Sequence, residues 1–276
     1  MTVYDLYLES GPKRKTTIVH VPQLTGCTWN APTTDEAVGR AAEEIAAFLR
    51  FLADSGERAR PEAPVTTRIA HHEITAGFLS IAFFAPDARP LPQPEAERLM
   101  RRLAAMHAEL RRTVAPLSRR QLEAKPARGR PIRQILSHIC VEGAYLRGVS
   151  GSSRIQREVD EGKRDAFDAL DELHELEIQR LREMPADERA IIIQRPSSKW
   201  SARYAVRRML EHCWEHLREI QARLDNGAGN APASGARMRH QRNQGGTAMG
   251  DKSPKNTQKS NKQKAQKKAG AKAGKK

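Results

Sequence analysis

The first hydrophobic pattern along the chain has a period of two. In TVYDLYLE, Tyr4, Leu6 and Leu8 alternate with Asp5, Tyr7 and Glu9, as in a strand with one buried face. SGPKRK supplies a turn, and the β-branched run TTIVHV predicts the second arm of a hairpin. VPQLTGCTWN follows, and then the period lengthens. Thr33 and Glu36 have capping-box spacing and start a helix whose apolar stripe is Ala37, Ala41, Ile45, Phe48 and Leu52, with Gly56 at its end. TTRIAHHEIT and GFLSIAFF read as two further strands. Residues 1–85 thus form a small α/β unit, and the proline-rich APDARPLPQP places a linker over 86–93.

From 94 to 225 the period is helical throughout. The first helix carries Leu99, Leu103, Met106, Leu110 and Val114. The second starts near Pro131, a good first-turn residue, and shows Ile135, His138, Glu142, Tyr145 and Val149 on one face. The third carries Phe167, Leu170, His174, Ile178 and Leu181 and stops before Pro185. The fourth starts at Ser201, shows Ala205, Met209, His212, Cys213, His216, Ile220 and Leu224, and is closed by Asn226-Gly227. Four such helices predict an all-α four-helix bundle, so the fold class is α+β with two domains. From Asn226 the periodicity ends, and residues 226–276, rich in Lys, Gln, Ser, Ala and Gly, read as a disordered basic tail.

The net charge of +15 belongs mostly to that tail. Residues 226–276 hold ten Lys, three Arg and one Asp, or +12, which leaves +3 for 1–225. The body therefore gives no reason to expect a nucleic-acid groove. The tail predicts weak, salt-sensitive, non-specific nucleic-acid contact, and it has no aromatic residue to stack on bases. MGDKSPKNTQKSNKQKAQKK, from Met249, looks like the start of a separate short reading frame, so 249–276 is expected to derive from a downstream frame joined to this one or to be translated from its own start, the alternative being a flexible solubilising tail. No run of apolar residues is long enough to span a membrane, and the N-terminus lacks the features of a signal peptide. The three cysteines, Cys27, Cys140 and Cys213, form no CxxC pair; a reducing cytoplasm is the expected location.

The candidate chemistry lies in the histidines. His212 and His216 stand four apart, so both imidazoles leave the same face of the fourth helix. That spacing alone is a weak signal and fits two aligned polar residues as well. Their place along the apolar stripe strengthens a metal reading, because an unpaired imidazole is costly to bury. His138 sits on the stripe of the second helix, and three imidazoles facing inward could satisfy one another through a divalent ion. Glu142, one turn later, could support a ligand, act as a ligand itself or serve as a catalytic base. His174 reads as a boundary residue and His107 as exposed. His71 and His72 point to opposite faces of a strand. Cys213, about 100° around the helix from His212, reads as a packed thiol. Cys27 reads as a structural residue in a turn.

PIRQILSHICVEGAYLRGV and KWSARYAVRRMLEHCWEHLREIQARL resemble the second and fourth helices of the DinB-like (YfiT-like) metalloprotein superfamily. The residues that carry this are His138, the Trp200-Ser201 entry, His212 and His216. Leu217 stands where a second histidine is frequent in that family, and GRPIRQIL lacks the Trp often found before the second helix. The resemblance, over about residues 93–225, implies a four-helix bundle with a three-His site for nickel, zinc or another divalent ion. It also implies S-transfer from a low-molecular-weight thiol to an electrophilic small molecule.

Residues 1 to about 60 resemble HicB-like domains through Val21, Pro22, Leu24, Gly26, Cys27, Thr33, Glu36 and Ala37. That resemblance implies a partner-binding or assembly module, some members being antitoxins. The alternative function is therefore a non-enzymatic HicB-like module, with a protein partner or a second copy of the chain, on a bundle that serves as structural or sensory scaffold.

Overall fold

Alternation in the first strand places Leu6 and Leu8 in the core, and the strand becomes buried on both faces toward its end, where Glu9 and Ser10 are also enclosed. The computed structural model describes residues 2–12, 16–75, 82–126, 129–194 and 198–228. Strand β1 (Val3–Ser10) pairs antiparallel with β2 (Thr17–His20), in the register Tyr7↔His20 to Ser10↔Thr17, which is the expected hairpin. TWNA, not assigned from its pattern, forms β3 (Thr28–Ala31), antiparallel to β2. Thr33 caps α1 (Thr34–Gly39) by accepting from the Glu36 amide at 3.2 Å. After Arg40 the chain continues as α2 (Ala41–Asp54), so the expected single helix is two. The stripe Ala37, Ala41, Ile45, Phe48 and Leu52 is buried as the period requires.

TTRIAHHEI forms β4 (Thr66–Ile74), which lies parallel to β1 and gives the sheet order β3-β2-β1-β4. The strand expected in GFLSIAFF falls mostly on residues 76–81, outside the described residues, as do the tail from 229 and the segment beginning at Met249. The segment read as a linker is not an exposed connector. Its residues Ala85–Ala88 make a 3-10 turn, and Asp87 and Leu91 are buried.

Helix α3 (Gln93–Val114) buries the stripe from Leu99 to Val114. A short α4 (Arg119–Glu123) with a Ser118–Gln121 capping box leads to α5 (Ile132–Ile139). The expected second helix breaks there. Cys140–Ala144 is a 3-10 turn, and a separate α6 (Ser152–Asp160) follows. Two glycines account for the break. A Cβ at Gly143 would stand 2.8 Å from Leu173 Cδ2 and 2.9 Å from Ser152 Cβ, and Gly151 precedes α6 at φ +81°.

Helix α7 (Ala166–Glu183) is capped by Asp165 and ends before Pro185. A short α8 (Ala186–Ala190) and a two-residue ribbon, β5 (Ile193–Gln194) with β6 (Lys199–Trp200), lead to the long α9 (Ala202–Ala228). The Ser201 hydroxyl caps that helix, accepting from the Tyr204 amide at 3.0 Å and donating to the Asp87 carbonyl at 2.6 Å. The helix runs through Asn226-Gly227 to Ala228 rather than stopping there. Helices α3 and α5 each pack on both α7 and α9.

The sheet and the helices share one hydrophobic core, which runs from Leu6 to Ile220. Trp214 of α9 packs edge-on against Phe48 of α2, with centroids 4.9 Å apart, and lies 5.2 Å from Phe51. Arg102 of α3 forms a bidentate pair with Glu57, both contacts 2.7 Å, and donates to the Thr25 carbonyl at 2.6 Å. A buried charge network makes a third join. Arg207 grips Asp87 with two 2.8 Å bonds and donates to Glu211 at 2.7 Å, while His20 of β2 meets Glu211 at 2.9 Å.

Candidate metal centre

Residues 138, 212 and 216 come together where the last turn of α5 meets the middle of α9. The four-residue spacing stacks His212 and His216 on one face of α9, with ring centroids 4.7 Å apart. His138 completes a triangle, 4.9 Å from His212 and 5.0 Å from His216. One ligand atom from each of the three lies within 4.8 Å of the others, a spacing that could hold a metal ion.

His212 is buried, and neither ring nitrogen has a hydrogen-bond partner among the described residues. Burial, and then the neighbouring His216 and His138, hold its pKa well below the ordinary 6.5, so the ring is neutral at physiological pH. A neutral imidazole with a free ring nitrogen is the state a metal ligand requires. His216 differs: its Nδ1 lies 2.9 Å from Glu219 Oε2, which turns Nε2 toward the other rings. Glu219 also pairs with Arg223. Sequence reasoning missed Glu219, although its three-residue offset from His216 was a usable signal. The Tyr145 ring stands 5.7 Å from His212, and its carbonyl accepts from Trp200 Nε1 at 3.0 Å, so the tryptophan before α9 anchors the turn after α5.

The remaining candidates lie elsewhere. Glu142 is placed against His107 rather than among the three imidazoles, Oε1 to Nε2 3.0 Å. His107, expected on the surface, is buried. The cause is the packing of α3, which meets α7 and α9 on one side and the N-terminal unit on the other, so its buried arc is wider than its apolar stripe. Cys213 is fully buried, and its thiol is pushed up by burial and then by Glu142 and Glu177. His174 lies 5.8 Å from His107, and burial, then the charge of His107, hold it down to about 4. His72 points inward to the Ser10 hydroxyl at 2.8 Å, and His71 packs 5.9 Å from Tyr7 on β1. Cys27 and Cys140 are buried and unbridged. Among the described residues no helix is long and apolar enough to cross a membrane.

Three histidines from two elements, set into a helical bundle, define a candidate metal-binding site of the helix-bundle class. Comparison with known families agrees in class: residues 102–220 match the DinB superfamily, a span that contains all three histidines. Nothing in the comparisons supports the HicB-like resemblance of residues 1–60. No curated protein and no solved structure matches the chain significantly.

Proposed function

We propose that His138, His212 and His216 hold a divalent ion, nickel or zinc, and that the protein is an S-transferase joining a low-molecular-weight thiol to an electrophilic small molecule. The observation that carries the reading is His212, a buried imidazole with two unpartnered nitrogens facing two further imidazoles. Leaving such a group unsatisfied costs about 1–3 kcal/mol, and a metal ion removes that cost. The DinB superfamily match covers residues 102–220, a span that contains all three histidines. His212, buried in the middle of α9, provides the innermost ligand. His216 is oriented by Glu219, and the Tyr145 ring forms the adjoining wall. A bound ion supplies Lewis-acid chemistry and favours the thiolate form of a thiol beside it.

The test is metal analysis of the purified full chain, of His138→Ala and of His216→Ala, followed by thiol consumption with a generic electrophile. Both variants are expected to lose the same metal equivalent and the activity. Substoichiometric metal in every preparation would instead favour the partner-binding alternative, with the bundle as scaffold.

A further inference from the structure

A second group of donors lies in the bundle interior, and the three histidines leave it unexplained. His107 comes from α3, Glu142 from the turn after α5, Glu177 from α7 and Cys213 from α9. All four are buried, Glu142 and Glu177 completely. Neither carboxylate makes a hydrogen bond through either oxygen among the described residues, and His107 Nε2 also lacks one, although it lies 3.0 Å from Glu142 Oε1. His107 is the one basic side chain beside Glu142 among these four, and burial and then Glu142 push the Glu177 carboxyl well above the ordinary carboxylate range, so Glu177 is held there as the neutral acid with neither oxygen hydrogen-bonded. No ion pair between an arginine or lysine and either carboxylate forms among the described residues; Arg207 and Arg208 pair with Glu211, and Arg111 with Asp171.

One atom from each of His107, Glu142 and Cys213 lies within 4.8 Å of the others. Around a tetrahedral ion with bonds of about 2.0–2.3 Å, ligand atoms stand about 3.3–3.8 Å apart. His107 Nε2 and Glu142 Oε1 already stand 3.0 Å apart, and since no pair exceeds 4.8 Å the remaining closure is at most about 1–1.5 Å, within the reach of side-chain rotation. We infer that His107, Glu142 and Cys213 form a second metal site, for a zinc-class transition ion, with Glu177 as the fourth donor. One nitrogen, one sulfur and two carboxylate oxygens suit a borderline-soft ion and not calcium or magnesium. A +2 ion would take the place of the protons that burial keeps on Glu177 and Cys213 and would satisfy the carboxylate oxygens that lack hydrogen bonds. Cys213 follows His212 directly, but it leaves α9 about 100° further round, so the two sites occupy adjacent faces of one helix. This site is independent of the function proposed for the three histidines.

Cobalt reads the two sites separately. A thiolate ligand gives Co²⁺ a near-ultraviolet sulfur-to-metal charge-transfer absorption, which a site of three imidazoles cannot give. The full chain is unfolded in chelator and refolded with excess Co²⁺, so that burial does not block entry. We expect the charge-transfer band in the wild type and in His216→Ala. It should be lost in Cys213→Ala, and weakened at least tenfold in apparent affinity in Glu142→Gln, a near-isosteric change. Bound metal should fall by about one equivalent in Cys213→Ala while the equivalent held by His216 remains. Absence of the band in the refolded wild type overturns the inference, whatever the variants do. So does a band that persists in Cys213→Ala, which would assign it to Cys27 or Cys140, or a band that vanishes in His216→Ala, which would make the two groups one site.

Discussion

Glu211 is the node through which the sheet and the longest helix hold each other, and Glu211→Gln tests that role. Its carboxylate accepts from Arg207 at 2.7 Å and Arg208 at 3.0 Å, and it meets His20 at 2.9 Å. Its side chain is 2% exposed, so solvent screens little of this. The amide keeps the volume but removes the charge. Arg207 retains Asp87, while Arg208 and His20 lose their principal buried anion. Removing one partner of a buried ion pair costs about 3–5 kcal/mol, and the surviving Asp87 contacts place this case near the lower end, about 3 kcal/mol. With a urea slope of about 3 kcal/mol/M for a unit of this size, the midpoint should fall by about 1 M.

The pH dependence carries a sign. Burial alone would raise the Glu211 pKa, but Arg207, His20 and Arg208 hold it below the ordinary 4.5. Its contribution is therefore complete above 4.5 and is lost as pH falls from there toward the folded value. Burial alone would lower His20, but Glu211 and then Glu9 raise it above 6.5, so its contribution is complete below 6.5 and is lost as pH rises through the folded value. The wild-type-minus-variant difference should thus be largest between 4.5 and 6.5 and shrink on both sides. A variant within about 0.5 kcal/mol of wild type, or a difference that does not shrink below 4.5 and above 6.5, would refute the network as a source of stability.

Glu219→Gln should weaken metal binding by about tenfold in a competition titration, because the amide orients His216 less firmly than a carboxylate does. Gly143→Ala should cost about 1–3 kcal/mol in urea unfolding, since its Cβ meets Leu173 and Ser152 within 2.9 Å, whereas Gly39→Ala, with open space around it, should gain about 0.5 kcal/mol. His174 should titrate near 4 by NMR, and because its folded value lies below 6.5, wild-type stability should decline as pH falls from 6.5 toward 4, a decline that His174→Gln lessens while leaving the metal held by His216 in place.

What the sequence made legible was period and caps. The alternation in β1, the Thr33 cap, the stripe of α3 and the start of α9 at Ser201 are local signals, and the structure places them as read. What it hid was partnership. The parallel pairing of β1 with β4 joins segments about sixty residues apart, and no periodicity encodes it. The break after Ile139 was hidden because Ile135, His138, Glu142 and Tyr145 keep helical spacing, while Gly143 serves a close approach by Leu173 and Ser152 and Gly151 a left-handed turn before α6. That break carries Glu142 away from the histidines it seemed to accompany. His107 was misplaced because a stripe read from one helix shows where apolar residues lie, not how many neighbours surround the helix. The proline-rich 86–93 looked like an exposed linker, yet Asp87 is claimed by Arg207, more than a hundred residues on.

These separate findings meet in four consecutive residues of α9, Glu211-His212-Cys213-Trp214. Each step turns about 100° around the helix, so the first three face three different neighbours. Glu211 reaches His20 in the sheet, His212 the ring of His138, and Cys213 the buried pair His107 and Glu142. Trp214, three steps on, returns to within about 60° of Glu211 and meets Phe48 and Phe51 of α2. Glu211 and Trp214 thus fix the rotation of α9 against the N-terminal unit, and that rotation aims His212 and Cys213. An error of a few degrees about the axis displaces both donor sets together. The N-terminal unit is therefore expected to act on metal binding without contributing a ligand to either group. Loosening it at Glu211 or Trp214 should weaken metal retention at His212 even though every ligand is intact.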